Sequence, residues 1–131
     1  MLKAKKLTLG DFEFNAYAEK EELTPAQSMK GCNTEEVKNF CDAVDAVKTV
    51  ASSRWGWCSV KVTGVLIDDN SFNGVEYLGC CSYSSKADFV NGDYYNDMCK
   101  QIVADVQKQL DRYVLTVNQK MSNGLIGISP V

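Results

Sequence analysis

The chain of 131 residues contains no histidine. That excludes Ser-His-Asp and Cys-His nucleophile systems, histidine metal ligands and the usual proton shuttle. Proline is scarce, at two residues, and no biased tract occurs, which argues against long disorder. Fourteen basic and seventeen acidic residues leave a formal net charge of −3. The basic footprint of a nucleic-acid binder is missing, and so is the strong acidity of a DNA mimic, so no direct contact with nucleic acid is expected. There is no apolar run of spanning length. The basic start Met1-Leu2-Lys3-Ala4-Lys5-Lys6 meets Asp11 and Glu13 before any signal-type apolar stretch. The expectation is a cytoplasmic protein without membrane contact, its six cysteines reduced.

Those cysteines do not form a Cys-x-x-Cys knuckle. Cys80 and Cys81 are adjacent, and in an alternating strand neighbours point to opposite faces, so no zinc site is expected. No phosphate-cradling glycine loop or Walker pattern is present. Asp68-Asp69-Asn70 lacks the later Glu and the glycine of a calcium loop and reads as a solvated turn. No cofactor, metal or catalytic residue is assigned.

What the chain does have is a dense β-branched and aromatic stretch, Trp55 to Tyr83. Cys58, Val60 and Val62 alternate with Trp57, Ser59, Lys61 and Thr63. Leu78 and Cys80 alternate with Tyr77, Gly79, Cys81 and Tyr83. Asp68 to Gly74 is rich in Asx and Gly and reverses the chain, so the stretch reads as a hairpin. Gly79 inside a strand suggests a bulge or a close backbone approach.

Around the hairpin, Lys5 to Ala18 reads as a first strand with Phe12, Phe14, Ala16 and Ala18 on one face. A polar link covers 19–32. Asn33 to Ser52 reads as a helix, capped by Asn33 with Glu36, its stripe formed by Val37, Phe40, Cys41, Val44 and Val47. After a short turn near 84–92, a long helix runs from Tyr94 to about Val117, followed by a tail over 119–131. The order is β-α-β-β-α. This predicts one α+β domain over 1–131: two layers, an antiparallel sheet of about three strands, with two helices on one face.

The other face would then carry Tyr17, Trp57, Lys61, Tyr77 and Tyr83, aromatics with no helix left to cover them. These five residues are the candidate partner- or ligand-binding set. Three uses stay open at this point: cover for the edge of the chain's own core, a contact between subunits of a homo-oligomer, and a recognition site. Cys81, expected on this face near Lys61 and Lys86, is the candidate for a reactive thiol in a cysteine-dependent enzyme.

Trp57-Cys58, Val60-Lys61-Val62-Thr63, Gly74-Val75-Glu76-Tyr77-Leu78-Gly79-Cys80-Cys81-Ser82-Tyr83 and Tyr94-Tyr95-Asn96-Asp97-Met98 together resemble a family of small bacteriophage-encoded accessory proteins. Their pattern is similar: Trp-x-Trp-Cys, a Gly-x-x-Tyr-Leu-Gly-x-Cys-Ser-Tyr strand and a Tyr-Tyr-x-Asp-Met helix start. The resemblance covers roughly Trp55 to Leu110. It implies a phage gene product acting in the host bacterial cytoplasm. Such genes often encode inhibitors of host defence, including anti-CRISPR proteins and sponges for signalling nucleotides. The expected partner is therefore a host protein, with a small nucleotide as the alternative ligand.

Overall fold

A computed structural model describes residues 1–124. Three antiparallel strands, β1 (Phe12–Glu19), β2 (Cys58–Leu66) and β3 (Asn73–Cys81), form a sheet in the order β1-β2-β3. The helices are α1 (Pro25–Ser28), α2 (Thr34–Val50), α3 (Lys86–Val90) and α4 (Asp93–Ser122). This is the expected α+β class, with the hairpin at its centre. The tail beyond Gly124 lies outside the described residues; 119–122 are the last residues of α4.

Cys58, Val60 and Val62 are fully buried in one core with Ile102 and Val106 of α4. The helix approaches closely because the strands leave room for it. A Cβ on Gly64 would stand 2.6 Å from the Ile102 Cγ2 and 2.8 Å from the Phe14 ring. Phe89 of α3 is the aromatic hub at one end of this core. Its ring lies 5.7 Å from Trp55, 5.1 Å from Tyr83 and 5.9 Å from Tyr95.

The two helices that close the apolar face are thus α3 and α4. Helix α2, expected there, lies elsewhere. Asn33 caps it as anticipated, its side chain accepting from the Glu36 N–H at 2.8 Å. Its apolar stripe, however, meets α1 and the Trp57 ring, whose centroid is 5.9 Å from that of Phe40. The first strand also starts later than expected. Residues 2–7 run along α4 instead, tied by two side-chain amides. Asn118 bonds both the N–H and C=O of Leu2, at 3.0 and 2.8 Å; Gln107 accepts from the Leu7 N–H and donates to the Lys5 C=O, at 2.7 and 2.9 Å. An extended chain must satisfy its backbone somewhere, and here α4 supplies the partners.

Candidate recognition surface

Alternation along each strand aims Glu13, Asn15, Tyr17, Lys61, Thr63, Val65, Val75 and Tyr77 away from α4. Register aligns them. Tyr17 pairs with Lys61, and Lys61 pairs with Tyr77, so the three make one row across all three strands. The bond from Leu66 N–H to Phe72 C=O sets the phase of the β2–β3 ladder and makes Lys61–Tyr77 a non-hydrogen-bonded pair, the kind whose side chains sit closest. Tyr17 is 46% exposed, Tyr77 60% and Val75 43%.

Asn15 fixes the Tyr17 end of the row. Its Nδ2 donates to the Tyr17 hydroxyl at 2.9 Å, and its Oδ1 accepts from Lys86 Nζ at 2.7 Å and from the Ala16 N–H at 2.9 Å. Lys86, carried on α3, thereby stands at the rim of the same face. Beside Tyr17 lies a shallow depression of about 390 Å³, lined by Glu13, Asn15, Thr63, Val65 and Ile67 among others. Of the surface residues, Val75 was missed; Asn15 has the parity of this face, and what was missed is its bracing role. The signal for Val75 was present: it stands two residues before Tyr77 and shares its parity.

Two of the five expected residues do not belong here. Trp57 is covered by the chain's own link and α2; its indole N–H donates to the Leu23 C=O at 2.8 Å and its ring meets Phe40 edge-on. Tyr83 turns into the core against Phe89. The cause of the second correction is a bulge. Cys58 pairs with Cys81 while Val60 pairs with Leu78, so one extra residue stands on β3 at Gly79–Cys80. Cys80 adopts φ 57°, and its N–H is taken by the Glu21 carboxylate. That bond, with one from the Leu23 N–H, holds the Glu21 carboxyl below its usual range.

Past the bulge every side chain changes face. Cys81 therefore points into the core rather than onto the open side, and burial, with Cys58 beside it, pushes its thiol up to about 12. Burial likewise lifts Cys58 to about 11. Thiols in that range are protonated at neutral pH and poor nucleophiles, which removes the basis for an activated Cys81.

Among the described residues, no group of three or more cysteines and carboxylates is arranged to hold a metal ion, and no helix is long and apolar enough to cross a membrane. No protein-family model, curated protein or solved structure matches the chain.

Proposed function

We propose that this chain is a non-enzymatic phage accessory protein that binds and inhibits a component of host defence, an anti-CRISPR or other anti-defence protein, through the open face of its sheet. The observation that carries the binding role is the in-register row Tyr17–Lys61–Tyr77, with both rings substantially in water. Tyrosine offers large, stiff contact area at low entropic cost, which is why it recurs where proteins meet. Lys61 between the rings supplies a charge that sets orientation. The host-defence target is supported by the resemblance of residues 55–110 to phage accessory proteins.

A flat three-strand surface suits a protein better than a small nucleotide. The depression beside Tyr17 is shallow and carries Glu13, which disfavours a phosphate there, and the nearby Lys86 is already bonded to Asn15. The test is capture from a host bacterial lysate with the immobilised chain, run beside a Tyr17→Ala/Tyr77→Ala variant. A host defence protein retained by the native chain and lost with the variant supports the reading. Equal retention by both, or saturable heat with a cyclic nucleotide and no captured protein, overturns it.

A further inference from the structure

The two edges of the sheet are not alike. On β1, the phase set by the Ile67 N–H bonding the Asp11 C=O turns the backbone groups of residues 12, 14, 16 and 18 outward. That edge is occupied: the Ala16 N–H is taken by Asn15 Oδ1, and α3 packs beside the strand. On β3, the same logic turns Asn73, Val75 and Tyr77 outward. Gln109 of α4 donates to the Asn73 C=O at 3.0 Å, and Glu21 accepts from the Cys80 N–H. Both ends of the edge are thus closed. Between them, among the described residues, nothing pairs with the N–H and C=O groups of Val75 and Tyr77, and both residues are exposed.

The residue between them decides what fits. Glu76 faces the α4 side, opposite Val62 of β2, and the charged group that meets it there is Asp105 of α4, itself accepting from Gln101 at 3.0 Å. Partial burial and the neighbouring Asp105 carboxylate make ionised Glu76 unfavourable. A cation placed opposite would relieve both carboxylates. A second copy of this edge would not. Antiparallel self-pairing that uses all four open groups sets Val75 against Tyr77 of the other copy, and Glu76 directly against Glu76, where like charges repel.

We propose that the Val75–Tyr77 edge of β3 is a docking site for an extended peptide segment of a partner protein, added as a fourth antiparallel strand with a lysine or arginine opposite Glu76. Backbone bonds to Val75 and Tyr77 give the affinity; the central cation, in the non-hydrogen-bonded pair where side chains are closest, gives the selectivity. The site uses the outward backbone groups of two residues whose side chains border the open face, and its backbone bonds form whether or not that face is occupied.

The experiment is titration of the isotope-labelled chain with the capped peptide Ac-Thr-Val-Lys-Val-Thr-NH2, following each backbone amide by NMR, with the central Lys→Glu peptide as comparison. The expected result is saturable shifts at the Val75 and Tyr77 amides, with binding of the glutamate peptide weaker by roughly fivefold or more. Glu76→Gln/Asp105→Asn should erase that preference, and Tyr17→Ala should leave it unchanged. Val75→Pro, which removes one outward N–H at an edge position where proline is tolerated, should abolish the shifts. Should that variant fail to fold, slowed exchange of the native Val75 and Tyr77 amides on peptide addition serves instead. Absence of shifts at β3, equal binding of both peptides, or protection of those amides rising with protein concentration alone would overturn the proposal, the last by making the second copy the occupant.

Discussion

Replacing Trp57 by alanine should destabilise the fold rather than merely weaken recognition. The ring is half-buried, packs edge-on against Phe40 and donates to the Leu23 C=O, so it joins the sheet to both the link and α2. Truncating a fully buried tryptophan costs about 3–5 kcal/mol, and half of that burial leaves about 2. The hydrogen bond adds about 1 kcal/mol. The expected loss is therefore about 3 kcal/mol, or a fall in thermal midpoint of about 12 °C for a chain of this size. Trp57→Phe keeps a ring against Phe40 and gives up the indole donor, so it should lose about 1 kcal/mol. Thermal and urea unfolding followed by far-UV circular dichroism measure both. Unchanged stability in Trp57→Ala would refute the reasoning, because the ring would then be free.

Three further outcomes follow from the packing. Gly64→Ala should destabilise by about 1–3 kcal/mol in urea unfolding, since its methyl would collide with Ile102 and Phe14. In the native protein at neutral pH a thiol reagent should modify exposed Cys32 quickly and Cys58 and Cys81 only upon unfolding, as peptide mapping of the labelled chain would show. Glu76→Gln should raise the thermal midpoint at neutral pH: a carboxyl lifted above 4.5 in the fold contributes stability below that pH and loses it as pH rises through the folded value, so the native chain weakens across that window and the variant does not.

Much of the fold was legible because local patterns were consistent with one another. Period-two alternation, an Asx- and Gly-rich reversal and the Asn33 cap each specify structure within a few residues, and all three are where the pattern put them. The site was half legible. Tyr17, Lys61 and Tyr77 lie on regular strand, where parity carries side chains to a face reliably. Tyr83 and Cys81 lie beyond one inserted residue, and a single bulge inverts parity. Gly79 signalled that bulge, but the φ 57° residue is Cys80, and no propensity marks a cysteine for that conformation. Trp57 was misplaced for another reason. Its cover comes from Leu23 and Phe40, seventeen or more residues away, and a polar link gives no periodic sign of where it will fold back.

The central claim is that the open sheet face recognises a partner, and tyrosine-selective nitration of the complex tests it most directly. Tyr94 and Tyr113 on α4, each 57% exposed, are internal controls on the same molecule. The account predicts that partner binding protects Tyr17 and Tyr77 while Tyr94 and Tyr113 stay reactive. Protection of the two helix tyrosines, with Tyr17 and Tyr77 still modified, would contradict it.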